Sequence, residues 1–290
     1  MNASAGDIRP VLGLLYAATF WGLVWYPLRT LESMGMWGGW LTLVAYSTAF
    51  LVFAPFVRFS MDGLLRQPWD ALALALSAGW TNVAFVLAVL DGEVVRVLLL
   101  FYLSPIWAVL LGRWLLGEAL NRRTWMLLGL GVGGALIMLW DPAAGQVPLN
   151  AADLLAASSG LAFGLNNVMT RRITSLGVRE KTHLAWFGVV IVSAAFILGH
   201  SLPIPQVPAA AWLGTVLLGA VGFLLSTLAV VYGVSHMPVQ RSAVIMLFEL
   251  VVGATSAWLL ASERISTQEW LGGTLIVLAA LIAILQEERA

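Results

Sequence analysis

The chain lacks cysteine and is poor in charged residues, and both absences narrow what it can do. The absence of Cys among 290 residues excludes disulfides, thiol catalysis and Cys-ligated metals. Charged residues make up 10% of the chain and apolar residues 60%, whereas a soluble domain has about 25% charged and about 45–50% apolar residues. The formal net charge is zero, which gives no indication of a nucleic-acid partner. The composition therefore predicts a protein that is surrounded by lipid.

Sequence signatures of enzymatic chemistry are also missing. There is no HExxH and no GxSxG, and His183, His200 and His236 are scattered near the ends of apolar segments. We therefore expect no catalytic residues, no metal and no cofactor. A structural or receptor-like membrane protein is one class of function that stays open.

Long apolar runs dominate the sequence, and a membrane-spanning helix needs about 20 mostly apolar residues. No secretory leader is evident, because the first run lacks a basic segment before it and a clear cleavage site after it. The sequence predicts an all-α polytopic membrane protein with ten transmembrane helices. The predicted spans are residues 10–30, 36–57, 69–90, 94–116, 122–140, 151–173, 182–200, 209–234, 239–261 and 268–286.

The distribution of Arg and Lys predicts how these spans are oriented. Ten spans place Arg29, Arg96 and Arg264 on the side opposite the N-terminus, and the other twelve of the 15 Arg and Lys residues on the N-terminal side. Positive charge is retained on the cytoplasmic side of membrane proteins. Both termini are therefore predicted to be cytoplasmic.

The second half of the sequence resembles the first. At an offset of 145 residues, Arg96 aligns with Arg241 and Glu118 with Glu263. Earlier landmarks align at slightly smaller offsets, such as Gly22 with Gly164. The pattern predicts two five-helix repeats, residues 1–145 and 146–290. Because each repeat has an odd number of spans, the second is inverted, as in many secondary transporters that bind substrate between the halves near the membrane midplane.

The repeated Glu followed seven residues later by Trp, in GEALNRRTWMLLG and SERISTQEWLGG, together with the duplicated five-helix unit, resembles the EamA-type exporters of the drug/metabolite transporter superfamily. FWGLVWYPLR and GLAFGLNNVMTRR resemble the YddG-type amino-acid exporters within it. This resemblance implies an exporter of aromatic and other amino acids in the bacterial inner membrane. It also implies a central cavity lined by helices 1, 3, 4, 6, 8 and 9. Small four-helix relatives carry an acidic residue in their first helix, whereas here Trp25 and Asn167 occupy the paired positions.

Glu249 is the only acidic residue predicted to lie near the bilayer centre, about 15 Å into the ninth span at 1.5 Å per residue. A charge at that depth costs about 2.5–3.5 kcal/mol on insertion scales, so it is expected to face a cavity or a partner. Three hypotheses remain open. Glu249 can receive the substrate's ammonium group or a proton, it can be a protonated group hydrogen-bonded to Asn166, Asn167, Ser226 or a backbone carbonyl, or it can clamp the ninth helix in place.

Other polar and aromatic residues fall at similar depth and are candidates for substrate contact. Asn, Ser and Thr can bind a zwitterion without the cost of burying full charges, although Ser and Thr often bond to their own helix. Aromatic rings can bury an apolar substrate side chain, although most Trp residues in such proteins face lipid. The predicted substrate-binding residues are Trp25, Trp80, Asn82, Phe101, Tyr102, Ser104, Asn166, Asn167, Phe223, Thr227 and Glu249.

Prolines and paired glycines are candidates for gating positions. Pro27 and Pro105 leave the carbonyls of Leu23 and Phe101 without a helical partner, which suits a gate or a fixed kink. Gly79 and Gly222 are related by the repeat and are interpreted as hinges or as close-packing positions. The sequence as a whole predicts an amino-acid exporter that works by alternating access, with broad drug or metabolite efflux as the alternative. Because the repeat supplies internal symmetry, a single chain suffices for this mechanism.

Overall fold

The computed structural model describes residues 8–91, 94–140, 148–261 and 266–285, and within these ranges every regular element is helical. The prediction of an all-α chain is confirmed for these residues. A short 3₁₀ turn, Ala54–Phe56, follows α3, and a π-helical segment, Leu218–Phe223, joins α11 to α12. The α-helices are α1 (Arg9–Leu23), α2 (Trp25–Ser33), α3 (Gly38–Phe53), α4 (Met61–Arg66), α5 (Pro68–Asp91), α6 (Val94–Phe101), α7 (Ser104–Leu116), α8 (Arg122–Met138), α9 (Ala151–Arg172), α10 (Val178–Gly199), α11 (Ala209–Leu217), α12 (Leu224–His236), α13 (Val239–Met246), α14 (Phe248–Ala261) and α15 (Thr267–Leu285).

Eight helical stretches of the described residues are long and apolar enough to cross a membrane. The other two predicted spans correspond to α8, which has only 17 residues, and to α9, which carries several polar residues and ends on two arginines. The count of ten spans therefore stays a prediction. The eight stretches are Arg9–Ser33, Gly38–Phe56, Pro68–Ala88, Arg96–Leu116, Val178–Gly199, Ala209–His236, Val239–Leu260 and Thr267–Leu285.

Several of these stretches are interrupted in the middle. The helix is interrupted after Leu23 and after Phe101. The carbonyls of these two residues have no helical hydrogen-bond donor, because the residues four positions later are Pro27 and Pro105. A further break, at Leu247 between α13 and α14, contains no proline. Leu247 lies 145 residues after Tyr102, which is the first residue of the α6–α7 break. Equivalent helices of the two halves are thus broken at equivalent positions.

Helices of one half pack against helices of the other through glycine. Helix α1 contacts α12 and α14, while α9 contacts α5 and α7. A Cβ atom on Gly22 would come within 2.6 Å of the Glu249 carbonyl oxygen, and a Cβ on its repeat partner Gly164 would come within 2.9 Å of the Ala108 backbone nitrogen. These two glycines therefore bring α1 against α14 and, equivalently, α9 against α7.

A second pair of equivalent contacts joins α10 to α5 and α3 to the π-helical segment. Gly188 of α10 lies against the backbone of Ala75, and Gly219 of the π-helical segment lies against the backbone of Ala45. In both contacts a side chain of any size would meet main-chain atoms, which cannot rotate away. The interface between the halves is therefore fixed by backbone contact as well as by side-chain packing.

Gly188→Ala is expected to lower the free energy of unfolding by about 1–3 kcal/mol, the usual cost of overpacking a well-packed site. The new methyl group would overlap the Ala75 carbonyl. The measurement is the thermal unfolding midpoint of the purified protein in detergent. Gly133→Ala is the matched control, because no atom lies within 4 Å of a Cβ at Gly133 and alanine is the better helix former. Equal midpoints for the two variants would contradict the close approach of α10 to α5.

Candidate functional site

A small cavity with four polar side chains lies where the broken helices of the two halves meet. Its polar residues are Tyr102 and Ser104 at the α6–α7 break, Asn167 of α9 and Glu249 of α14. Its volume is about 10 Å³, which is about the space that one water molecule needs. The remaining lining residues are Pro105, Ala108, Phe163, Ala243, Met246 and Leu247.

Glu249 follows directly after the α13–α14 break, in the first turn of α14. Its carboxyl group is hydrogen-bonded to the side chain of Tyr102, across the interface between the halves. The partners that the structural hypothesis had named do not include Tyr102. Of these partners, Asn167 shares the cavity with Glu249, whereas the Ser226 hydroxyl donates to the Phe223 carbonyl at 3.4 Å. The geometry is compatible both with a substrate-binding role and with a structural role for Glu249.

Two pairs of repeat-related residues line this one cavity. Tyr102 is paired with Leu247 and Ser104 with Glu249, each at an offset of 145 residues, and all four are lining residues. A cavity that collects both members of such pairs lies on the axis relating the halves. Because the pairs differ in chemistry, with a hydroxyl opposite an aliphatic chain and a carboxyl opposite a hydroxyl, the site itself is asymmetric.

The two neighbouring asparagines of α9 have different surroundings. Asn167 is 4% exposed and lines the cavity. The Asn166 amide instead donates to the carbonyl oxygen of Leu74 in α5, at 3.3 Å. Successive residues on a helix point about 100° apart, since a turn takes 3.6 residues. The structure therefore places Asn167, and not Asn166, beside Glu249.

Two other predicted residues, Phe223 and Asn82, belong to an aromatic cluster. Phe223 is 4% exposed; its ring stacks on Trp21 at 5.3 Å and lies 4.9 Å from the ring of Tyr46. Tyr46 is hydrogen-bonded to the side chain of Asn82, whose amide also donates to the Ala78 carbonyl at 2.9 Å. None of these residues lines the central cavity. Phe101, by contrast, lies 5.6 Å from the lining residue Phe163, ring centre to ring centre.

Three further predicted residues lie away from the central cavity. The Trp80 indole donates to Ser158 at 3.1 Å, and its side chain is 42% exposed, unlike that of its buried repeat partner Phe223. The Trp25 indole donates to Ser256 of α14 at 2.8 Å. The Thr227 hydroxyl is buried without a hydrogen-bond partner among the residues that the structure describes.

The predicted gating residues fall at helix breaks and at close contacts. Pro105 lines the cavity, while Pro27 follows the α1–α2 break. Gly79 approaches the Gly188 carbonyl, which a Cβ would reach at 2.5 Å. Gly222 lies in the π-helical segment, against the ring of Phe20. Both glycines therefore serve close packing, and their role as hinges stays a prediction.

The sequence did not reveal a group of polar contacts near the end of α7, of which the bond between Glu118 and Val239 joins the halves. Gly117 ends α7 in a left-handed conformation, with φ of 70°, and Glu118 follows it. The Glu118 carboxylate accepts the Val239 backbone N–H at 3.2 Å, at the start of α13. Nearby, the buried Lys181 ammonium donates to the Ser235 hydroxyl at 2.7 Å and to the Thr170 carbonyl at 2.8 Å. Glu118 belongs to the repeated Glu–Trp pattern, and this repetition was the only feature of the sequence that singled it out.

Glu118→Gln is expected to remove a pH dependence of stability. Burial raises the pKa of Glu118 above its ordinary value of 4.5, against the opposing effects of the Val239 N–H and Arg171. A raised pKa means that the folded protein binds this proton more tightly than the unfolded chain does, so its contribution is present at low pH and is lost as pH rises through the folded-state pKa. As pH falls from neutrality towards 4.5, the unfolding midpoint of the unmodified protein is therefore expected to rise relative to the midpoint of Glu118→Gln. Parallel curves for the two proteins would contradict this assignment.

No group of three or more His, Asp or Glu side chains that could hold a metal ion occurs among the described residues.

Comparison with known proteins decides the family. The sequence profile of the EamA-like transporter family matches residues 8–140 and 150–285. The chain belongs to the EamA-like transporter family. It is therefore a multi-pass membrane transporter of small molecules and not an enzyme.

Individual relatives of this EamA-family chain are distant but similar over most of their length. It is 25% identical over 249 residues to an uncharacterized transporter of Archaeoglobus fulgidus, covering 85% of this chain and 87% of the relative. It is 26% identical over 253 residues to a riboflavin transporter of Rhizobium johnstonii, covering 84% of this chain and 80% of the relative. A solved crystal structure matches with a TM-score of 0.78 at 20% identity, covering 100% of this chain and 99% of the other, which supports the fold alone.

Proposed function

We propose that this EamA-family transporter exports amino acids, aromatic ones among them, across the bacterial inner membrane by alternating access. The observation that carries this proposal is the cavity between the halves, where the Glu249 carboxyl, the Tyr102 and Ser104 hydroxyls and the Asn167 amide converge. In the proposed arrangement ten spans form two inverted repeats, residues 1–145 and 146–290, with both termini in the cytoplasm.

The four polar groups of the cavity match the two ends of a zwitterion. A carboxylate is an acceptor for an ammonium group, and hydroxyl and amide groups can donate to a carboxylate. Glu249 is thus the proposed partner of the substrate's ammonium group. Ser104, from the opposite half, and Asn167, from the same half as Glu249, are the proposed donors to the substrate's carboxylate.

The apolar part of the proposed site is supplied by aromatic rings of α9 and of the α6–α7 stretch. Phe163 lines the cavity, and Phe101 and Tyr102 lie in edge contact with each other next to it, with ring centres 5.5 Å apart. Aromatic side chains offer large apolar surfaces and favour edge-on or offset contacts with other rings. An aromatic substrate side chain is expected to pack against these rings.

The present cavity is far smaller than the substrate it is proposed to bind. Pockets for organic ligands usually measure about 300–1,000 Å³, and this one measures about 10 Å³. We therefore interpret the structure as a closed conformation, in which Tyr102 occupies the position at Glu249 that the substrate's ammonium group takes after opening.

The proposed opening motion separates helices that are broken at mid-span. The α6–α7 and α13–α14 breaks both border the cavity, and each is flanked by a helix of the opposite half, α9 and α1 respectively. Equivalent contacts on both sides support an inverted repeat, because a motion available to one half is then available to the other. Bending at either break would widen the cavity towards one face.

Counterflow into liposomes tests the proposed function. The purified protein is reconstituted into liposomes loaded with an unlabelled aromatic amino acid, the same amino acid is added outside as a radiolabelled tracer, and other unlabelled compounds outside compete for its uptake. We expect aromatic amino acids to compete best and amino-acid amides, which keep the ammonium group but lack the carboxylate, to compete weakly. Competition by none of the twenty amino acids would refute the amino-acid assignment.

A second candidate function is efflux of heteroaromatic metabolites. It is favoured by one observation, the 26% identity to a protein named as a riboflavin transporter. Such a ligand carries no primary ammonium group, so its transport is expected to survive the loss of the Glu249 charge. Including riboflavin in the counterflow panel separates the two functions.

A further inference from the structure

A second and larger cavity lies outside the central site, between α14, α15 and the end of α8. Its volume is about 210 Å³. Its walls include Val251 and Ala254 of α14, Met138 of α8, and Gly273, Val277 and Leu278 of α15. We call it the α14–α15 groove. Apart from Met138 its lining residues belong to the second half, and none of them lines the central cavity.

The interior of the α14–α15 groove is chemically apolar, including its two threonines. The Thr255 hydroxyl donates to the Val251 carbonyl at 2.7 Å, and the Thr274 hydroxyl donates to the Trp270 carbonyl at 2.8 Å. Both hydroxyls therefore bond within their own helices. Away from Glu269, which lies at one end of the groove, a polar ligand would find no unsatisfied side chain among these lining residues, whereas a hydrocarbon chain would lose no hydrogen bond by entering.

The α14–α15 groove opens on the outside of the helix bundle. Leu278 and Trp270, on its wall, are 46% and 64% exposed. Because α14 and α15 belong to membrane-spanning stretches, their outer surface contacts the hydrocarbon of the bilayer. The material available to fill this groove is therefore a lipid acyl chain.

One end of the α14–α15 groove carries a negative charge at headgroup depth. Glu269 lies in the first turn of α15, at the end of its span, next to Trp270, whose indole is typical of the interface. One Glu269 oxygen accepts the Ser266 N–H at 2.7 Å, and no ion pair joins this carboxylate to a cation among the described residues. A cationic headgroup is therefore complementary to this end of the groove.

We propose that the α14–α15 groove binds a phospholipid with a primary-amine headgroup, its acyl chain lying between α14 and α15 and its ammonium group pairing with Glu269. In the proposed orientation this lipid belongs to the leaflet opposite the two termini. The bound chain would lie against α14, the helix that also carries Glu249 of the central cavity.

The test measures lipid retention by the full-length protein. The protein is extracted from vesicles containing equal parts of phosphatidylethanolamine, phosphatidylcholine and phosphatidylglycerol, and retained lipids are identified by native mass spectrometry. We expect phosphatidylethanolamine to be enriched. Glu269→Gln can still cap α15. It is expected to reduce the enrichment of phosphatidylethanolamine by roughly two- to fivefold, the effect of losing an exposed ion pair. The total amount of retained lipid is expected to stay unchanged.

Gly273→Leu is designed to fill the α14–α15 groove. A Cβ at Gly273 meets its nearest neighbours, Val251 and Met138, at 3.8 and 3.9 Å, so a side chain enters the cavity without overlapping the backbone. We expect this variant to lose the retained lipid while it stays folded. Gly133→Leu adds the same side chain where no atom lies within 4 Å, and it is expected to retain lipid normally.

Three outcomes would overturn the proposal. The first is equal retention of lipid by Gly273→Leu and Gly133→Leu. The second is no headgroup preference in the unmodified protein. The third is a Gly273→Leu variant that changes its oligomeric state, measured by mass photometry, but not its lipid retention. That result would make the α14–α15 groove an interface between copies of the chain.

Discussion

Glu249→Gln is expected to reduce amino-acid counterflow by roughly ten- to a hundredfold. A hydrogen bond to a charged group contributes about 1.5–3 kcal/mol, and about 1.4 kcal/mol corresponds to a factor of ten. The amide keeps the size of the side chain and can still bond to Tyr102, so the closed structure is expected to persist. The loss would therefore come from the missing charge opposite the substrate's ammonium group.

Two further variants separate binding from structure at Glu249. Glu32→Gln removes a carboxylate from an exposed position on α2 and is expected to leave counterflow unchanged. Tyr102→Phe removes the hydrogen bond to Glu249 but keeps its charge, and we expect it to retain most of the transport. If Glu249→Gln transports normally across the pH range, Glu249 has no part in binding either the substrate or a proton.

Asp153→Ala is expected to destabilise the protein by about 3–5 kcal/mol. Asp153 Oδ1 lies 2.8 Å from Arg96 Nε, and the two side chains are only 4% and 11% exposed. Removing one partner of a buried pair is strongly destabilising, because the other charge stays buried without the ion pair that had compensated it. The other Asp153 oxygen accepts the Asn150 N–H at 2.8 Å in the capping box of α9, which adds about 1 kcal/mol.

The measurement for Asp153→Ala is the fraction of folded protein recovered in detergent and its thermal midpoint. Asp70→Ala is the matched control, because its pair with Arg172 spans 3.2 Å and both side chains are partly exposed, 21% and 38%. Such pairs contribute only about 0–1 kcal/mol. Replacing both buried partners, with Arg96→Met and Asp153→Leu together, is expected to recover much of the loss. Equal effects of Asp153→Ala and Asp70→Ala would show that the buried pair is not a major source of stability.

The sequence predicted helices and helix breaks because both depend on local chemistry. Apolar length predicts spans, and Pro27 and Pro105 predict interruptions at the residues where α1 and α6 end. The sequence offset also placed Ser104 opposite Glu249, and the two residues line one cavity. Repetition in a sequence thus carried tertiary information that a single half could not have supplied.

Partners across helices could not be predicted, because they depend on how each helix is rotated about its axis. Tyr102 was a candidate, yet its bond to Glu249 was not foreseen. Arg96 served in the sequence only to indicate orientation and the repeat, but the structure buries it and pairs it with Asp153. Trp80 and Phe223 are related by the repeat, but only Phe223 is buried. Each difference reflects packing between distant segments, which neither composition nor spacing encodes.

The π-helical segment Leu218–Phe223 has no counterpart in α5, the equivalent helix of the first half. Wider helical turns of this kind are rare and occur mostly at functional positions. Two halves that bend through different backbones cannot exchange conformations at equal free energy. In the proposed alternating-access cycle, the two membrane faces are then not equivalent to the empty protein, and we expect a preferred resting side even when substrate is equally concentrated on both.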